Sequence, residues 1–563
     1  VHLKSIEFLW INRVKTYLII LKMYAITKED VMAIRINNLL LSIDDDINTL
    51  KIKASKKMRI SESSIKDFKI LKESIDARKK DDIKLSYSVL LECDNEETIV
   101  KKCNDKDISY DGIRYDDKIE FGTKKLEHRP MIVGMGPAGM FAGLLLARKG
   151  YKPLIIERGQ CVEERTKSVE EFWRSGKLNL ESNVQFGEGG AGTFSDGKLT
   201  TRIKDYRCDY ILEELVKAGA PEEIIYKGKP HIGTDVLKVV VKNIREEIIR
   251  LGGEVKFSSR LNKLHTKDCV IKGVQVNDYE IPCNALILAI GHSSRDTYEM
   301  LYDNGVMVTP KAFSIGVRVE HPQDFIDRSQ YGKFASHPKL RAADYRVAHT
   351  SDVMNRGVYS FCMCPGGDVV AAASEDKRLV TNGMSYFKRD KVNANSALVV
   401  SVKPEDFQGN SPLKGLEFQR HYEGLAYNAG GGGYQAPVQL IGDFLNDRVS
   451  KKLGNVTPSY KPGYVFSDLR ECLPSYVISM LKEGIVQFDK RIKGFAMNDA
   501  VLTGIETRTS APVRIERNEE LQSISLKGLY PTGEGAGYAG GIVSAAVDGV
   551  RVAEAIIKEY APF

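Results

Sequence analysis

The sequence predicts an α/β protein built on a parallel sheet, interrupted by an inserted β-rich domain and preceded by a small α+β domain. Three observations predict it. Residues 129–300 alternate strand-like and helix-like runs, the pattern of parallel strands joined by helices. Residues 305–490 are rich in β-like runs and glycine loops, and helical periodicity returns at 543–558. Residues 30–125 alternate short apolar runs with charged stretches. The expected organisation is a leader over 1–28, an α+β domain over 29–125, a discontinuous α/β domain over 126–304 and 510–563, and an insert over 305–509.

Composition narrows the class. The chain has 563 residues, 42% hydrophobic and 28% charged, which excludes a collagen-like, wholly disordered or membrane-embedded protein. Lys plus Arg is 82 and Asp plus Glu is 75, a net charge of +7. That excess is spread along the chain, so no nucleic-acid face is expected. The apolar start is broken by Glu7, Arg13, Lys15 and Lys22. A bilayer span needs about 20 apolar residues, so neither a membrane span nor an export signal is expected. The nine cysteines are odd in number, scattered and without a CxxC. They read as free thiols in a cytoplasmic, reducing compartment, with no metal site.

In the N-terminal domain, 33–36 and 85–90 read as strands and 61–73 as helix-prone. Lys51, Lys53, Lys56, Lys57 and Arg59 read as a solvated helix face. Residues 104–127 are charged and turn-rich and read as the linker.

The strongest signal begins at Met131-Ile132-Val133, a short apolar strand running into Gly134-Met135-Gly136-Pro137-Ala138-Gly139. A helix pattern follows to Lys149, then a second strand, Leu154-Ile155-Ile156, ending at Glu157. This is GxGxxG in its required context: strand before, helix after, acid about 20 residues on. Gly134 permits the turn, Gly136 lets the backbone approach a pyrophosphate, and Gly139 lets helix and strand pack closely. The helix N-terminus offers N–H groups to phosphates, and Glu157 can accept from ribose hydroxyls. FAD and NAD share this unit. Pro137-Ala138 and Glu157-Arg158-Gly159 lean to FAD.

A second glycine-bearing end strengthens that leaning. Leu529-Tyr530-Pro531 enters Thr532-Gly533-Glu534-Gly535, followed by Gly540, Gly541 and a helix from Ile542. An extended flavin nucleotide needs a second contact far beyond its pyrophosphate. Gly533-Glu534 can meet its ribityl end, and the helix at Gly541-Ile542 can aim N–H groups at the flavin edge. A strand over 285–290 ending at Gly291 returns the chain to the same domain.

These residues resemble a known family. The loop Gly134 to Gly139 with Glu157, the glycine-rich run 185–199, the segment Phe361-Cys362-Met363-Cys364-Pro365-Gly366-Gly367, and Gly533-Glu534-Gly535 with Gly540-Gly541 resemble bacterial FAD-dependent dehydrogenases described as NAD(FAD)-utilising. The resemblance spans roughly residues 30–563. It implies a glutathione-reductase-like, Rossmann-type FAD-binding domain with an inserted β-rich substrate domain. It also places the run holding Gly190, Gly192, Thr193, Ser195, Gly197 and Lys198 beside the flavin ring.

The expected activity is therefore that of an FAD-dependent oxidoreductase with non-covalent FAD. It would act on an unidentified small-molecule substrate, with either NAD(P)H, bound transiently and without a Rossmann unit of its own, or another donor as reductant. The alternative is a flavin-containing binding or RNA-associated module whose N-terminal domain docks a partner. No redox CxxxxC follows the first helix, and no second strand-then-GxGxxG unit of the kind a separate NAD(P)H domain needs is read. Lys198, Cys362 and Cys364 are the candidate catalytic groups. Two residues apart on a strand, the thiols would share a face. They read either as a redox or flavin-adjacent pair, or as two small buried residues before a turn. Further substrate-side candidates are residues 231–235, Arg318, Tyr359, Asn382 and Arg508.

Overall fold

The computed structural model describes residues 33–111, 119–407 and 409–562. The expected leader over 1–28 lies outside the described residues. The described residues form two compact units, one within 33–76 and 84–111, the other within 77–83 and 119–562.

In the first unit four strands form an antiparallel sheet in the order Ile65–Asp76, Lys84–Cys93, Ala33–Ser42, Ile108–Asp111. Strand Lys84–Cys93 buries every second residue: Leu85, Tyr87, Val89, Leu91 and Cys93. Period-two burial marks a sheet with one covered face. Helix Thr49–Met58 supplies Leu50, Ala54 and Met58 to that core and leaves its lysines outward. Two expectations are corrected here. Residues 61–73 are mostly strand, because Ile65–Asp76 pairs along Lys84–Cys93 as the sheet edge. An edge strand with one wet face carries charges that imitate a solvated helix. Part of the expected linker is also strand: Ile108–Asp111 pairs with Ala33–Ile36.

The second unit contains a five-stranded parallel sheet. Its spatial order is Leu529–Pro531, Leu286–Leu288, Met131–Val133, Leu154–Ile156, Glu254–Lys256. Alternate residues serve opposite cores. Ile132, Ile155, Ile287 and Tyr530 join helices Pro137–Arg148, Thr234–Arg250 and Ile542–Glu559. Met131, Val133, Leu154, Ile156, Leu286 and Leu288 join the antiparallel strands 261–282 on the other face. Burial on both faces explains why these strands read as unbroken apolar runs. In chain order the strands run 5-4-1-2-3, so the winding reverses between Met131–Val133 and Leu286–Leu288. Such a switch point opens a crevice at the strands' carboxyl ends.

The insert folds around a seven-stranded mixed sheet, ordered 348–351, 356–364, 393–402, 313–322, 501–506, 436–440, 464–466. Helix Ser475–Arg491 covers it with Val477, Leu481, Ile485 and Phe488. Both sheets belong to the second unit.

Candidate functional site

The carboxyl ends of the parallel strands build the site. Gly134 turns the chain at φ +98°, and a β-carbon there would lie 2.3 Å from the Ala289 carbonyl oxygen. Helix Pro137–Arg148 starts inside the loop. Its first-turn N–H groups have no helical acceptors. A β-carbon at Gly139 would sit 2.0 Å from Gly134 O, so only glycine lets this helix approach its strand.

Glu157 joins three loops. Its buried carboxylate accepts from Met135 N at 2.8 Å, Gly159 N at 2.9 Å and Gly187 N at 3.0 Å. A carboxylate has about four acceptor positions, so about one is left for a ligand hydroxyl. Arg158 stacks over Phe186 and donates to Glu181 and Asp296. With Gln160, Ser182, Ser258 and Arg260 it lines a polar cavity of about 410 Å³.

The run 187–198 packs onto the dinucleotide loop. A β-carbon at Gly190 would lie 3.0 Å from Gly136 Cα, and one at Gly192 would lie 3.1 Å from Ile542. Thr193 Oγ1 donates to Glu188 O at 3.3 Å, and Thr193 O accepts from Thr234 Oγ1 at 2.6 Å. Ser195 Oγ donates to Gly192 O at 2.6 Å and accepts from Gly197 N at 3.0 Å. The hydroxyls of Thr193 and Ser195 thus shape the loop.

The far end of the chain arrives at the same place. A β-carbon at Gly533 would lie 2.8 Å from Ala138 Cβ, and one at Gly535 would lie 2.6 Å from Gly291 O. Gly549 packs on the backbone of Ala138 at a β-carbon distance of 2.0 Å, which seats helix Ile542–Glu559 against helix Pro137–Arg148. Four glycines of this constellation border open space. A β-carbon at Gly291, Gly540 or Gly541 meets nothing within 4 Å, and one at Gly136 meets only Gly190 Cα, at 3.8 Å. The contacts of Gly190 with Gly136, Gly192 with Ile542, Gly533 with Ala138 and Gly535 with Gly291 gather them around one meeting point of the loops, a backbone cradle with the amino end of Ile542–Glu559 at one side. A flat, phosphate-bearing ligand fits such a lining.

Beside this cradle stands a charged thiol cluster from the insert. The Lys198 ammonium donates to Met363 O. Arg318 Nη1 donates to Cys362 O at 3.3 Å and lies 3.9 Å from Cys364 Sγ. Arg318 is fully buried and pairs with Glu506 at 2.9 Å. Asn382 and Asn395 accept from the same guanidinium. The expected shared face of the two thiols is corrected. The strand is irregular between Phe361 and Cys364, and Cys362 takes φ +43°, so the alternation breaks.

Lys198, Cys362, Cys364, Arg318 and Asn382 therefore converge. Tyr359 hydrogen-bonds Ser314, Arg508 joins Glu423, and the His231 ring bonds Phe387 O. Sequence reasoning missed Glu506, Asn395 and Lys311. They lie far along the chain from their partners, and no spacing announces them.

Glu534 is partly exposed, yet its surroundings desolvate its carboxyl. Burial pushes it up to about 7, with Lys311 opposing and Cys362 adding to the rise. A raised carboxyl favours the folded state below its ordinary value of 4.5, and that contribution disappears as pH rises through 7. Glu534→Gln is expected to remove this loss. Comparing denaturant midpoints of the two proteins, the variant should gain on wild type between pH 4.5 and 7. A constant difference across that window would contradict the assignment.

The fold and site define a doubly wound α/β protein with a glycine-lined cradle and a β-rich insert. Residues 312–509 match the family described as FAD-dependent protein, C-terminal domain-like, and 33–92 match a domain of unknown function, DUF8436. The chain belongs to one family with a Clostridium beijerinckii protein described as uncharacterized. The two are 64% identical over 529 residues, covering 94% of this chain and 99% of that protein. Solved structures similar to it include a glycine oxidase from Bacillus cereus, at 10% identity, TM-score 0.31, 77% of this chain and 99% of that one. An L-amino acid deaminase from Proteus vulgaris is similar at 12% identity, TM-score 0.34, 80% of this chain and 97% of that one. An L-proline dehydrogenase from P. horikoshii is similar at 14% identity, TM-score 0.32, 78% of this chain and 94% of that one. Scores this low carry no inference about the chain's chemistry. Among the described residues no helix is long and apolar enough to cross a membrane, and no group of three or more His, Cys, Asp or Glu is placed to hold a metal.

Proposed function

We propose that the second unit is an FAD-dependent oxidoreductase acting on a small-molecule substrate. The observation that carries this reading is the meeting of two distant chain ends: Gly533 lies against Ala138, and Gly136, Gly291, Gly540 and Gly541 border one open cradle. The family match over 312–509 supports the cofactor class.

Bound FAD would supply two-electron transfer chemistry; the protein binds, orients and tunes it. Residues 134–139 and the start of helix Pro137–Arg148 would hold the pyrophosphate with backbone N–H groups. The remaining acceptor position of Glu157 would take a ribose hydroxyl, and the cavity beside Arg158 suits the adenine end. The amino end of Ile542–Glu559 places its partial positive charge at the other end of the cradle, where it favours an anionic ligand edge. Glu534 and Lys311 stand in the same neighbourhood. A carboxyl held near 7 can both give and take a proton at neutral pH.

The test begins with absorbance. Purified protein is expected to show flavin bands near one equivalent per chain, and FAD released by heat denaturation marks the non-covalent form. Stopped-flow mixing with NADH and NADPH then asks for the donor. Protein that neither carries nor takes up FAD would overturn the reading. Flavin that no nicotinamide reduces would turn the search to other donors.

A further inference from the structure

We propose that Cys362 and Cys364 form a redox-active dithiol that reduces a small-molecule disulfide, with Cys362 the attacking sulfur and Cys364 the resolving one. Three independent features carry this.

The first is shape. Cys362 is an L residue held at φ +43° inside a strand, where the regular alternation breaks. Backbone strain of this kind collects at functional sites. It folds the segment back on itself, so that Cys364 Sγ donates to Cys362 O at 3.2 Å.

The second is charge. Arg318 reaches both cysteines and Lys198 binds the carbonyl of Met363 between them. A β-carbon at Gly383 would lie 1.9 Å from Arg318 Nη1 and 2.8 Å from Cys364 Sγ, so a glycine makes room for guanidinium beside sulfur. The neighbouring Cys364 side chain, with Lys198 and Arg318, draws Cys362 down to about 6, against burial and Glu506. Cys364 is held as the thiol. The thiolate is the nucleophilic form.

The third is access and place. Cys364 is fully buried, whereas Cys362 keeps part of its surface open. Lys198, which binds Met363 O between the two cysteines, belongs to the loop whose Gly190 packs on Gly136. The pair therefore borders the cradle.

The chemistry balances. The Cys362 thiolate attacks one sulfur of RS–SR; that S–S bond breaks, Cys362–S–SR forms and RS⁻ leaves. Cys364 loses its proton and its sulfur attacks Cys362 Sγ. The mixed disulfide breaks, a Cys362–Cys364 disulfide forms, and the second RS⁻ leaves. The protein gives up two electrons and one proton; the products are one RSH and one RS⁻. The inference deepens the flavin reading by naming a substrate class, and it rests on that reading only for returning two electrons to the pair in turnover.

The exchange itself needs no cofactor, which makes the test independent. The full chain is incubated with oxidised glutathione, denatured in iodoacetamide, digested and weighed. The wild-type peptide holding both cysteines is expected two hydrogens lighter and unalkylated. Cys364→Ser is expected to retain glutathione on Cys362. Cys362→Ser is expected to leave Cys364 alkylated. A wild-type peptide alkylated at both positions, under conditions that modify exposed Cys269, overturns the proposal, as does glutathione captured on Cys364. Flavin absorbance of the same sample is read separately. An internal disulfide in flavin-free protein supports the dithiol and removes the cofactor; alkylated thiols in yellow protein do the reverse.

Discussion

Gly136→Val is expected to strip the protein of its flavin while leaving the fold in place. Gly136 has φ −76° and ψ −176°, extended backbone that valine adopts readily. A β-carbon there meets only Gly190 Cα at 3.8 Å, so the apoprotein has room for it. The added methyls would instead fill the approach to the helix amino end, where the pyrophosphate is proposed to lie. Flavin content should fall at least about tenfold, equivalent to roughly 1.4 kcal/mol of binding. The melting temperature should fall only to that of flavin-free wild type, because the loss is of ligand stabilisation. Gly139→Ala is the contrasting case. Its methyl would meet Gly134 O at 2.0 Å and push helix from strand, so it should unfold the protein more readily whether or not flavin is present. Equal flavin content in Gly136→Val and wild type would remove the cradle from consideration.

The largest stability effect is expected at Glu423. Its carboxylate is fully buried and takes Arg295 at 2.6 and 2.9 Å, Arg508 at 3.0 and 3.1 Å and Thr507 at 2.7 Å. Helix Lys414–Ala429 is thereby tied to the segment after strand Leu286–Leu288 and to the chain leaving strand Val501–Glu506. Glu423→Gln keeps the shape and removes the charge between two buried guanidinium groups. Stranding a buried charge costs about 3–5 kcal/mol, which chemical denaturation would read directly. The pH dependence has a definite sign. Burial opposes ionisation, but Arg295 and Arg508 outweigh it and hold the carboxyl far below its ordinary 4.5. A depressed carboxyl stabilises the fold above its unfolded value, and that share disappears as pH falls below 4.5. The variant should therefore lie below wild type at neutral pH and converge with it in acid. Parallel curves down the acid limb would place the stabilisation elsewhere.

What could be read in the sequence was what is local. Residues 131–157 declare themselves because strand, turn glycines, helix and acid fall within one short stretch, each with its own chemistry. The second glycine end was legible for the same reason, and its meeting with the first was inferred from the length of the ligand. What escaped was partnership at a distance. Nothing in the run holding Glu423 separates it from a solvated helical glutamate until Arg295 and Arg508 are folded against it. Glu157 was readable as an acid at a strand end, but its three amide donors come from residues 135, 159 and 187. The bend at Cys362 is set by pairing with strand Asn393–Val402, outside any local pattern. The edge strand Ile65–Asp76 misled because exposure on one face mimics helical polarity.

The carboxylate of Glu157 has a kinetic consequence. With three amides fixed on it, the loops it binds already hold their working shape, and an arriving nucleotide has little segmental freedom left to freeze. Uptake should then follow simple second-order kinetics, without a slow isomerisation. The amides of Met135, Gly159 and Gly187 should exchange with deuterium as slowly in the empty protein as in the loaded one.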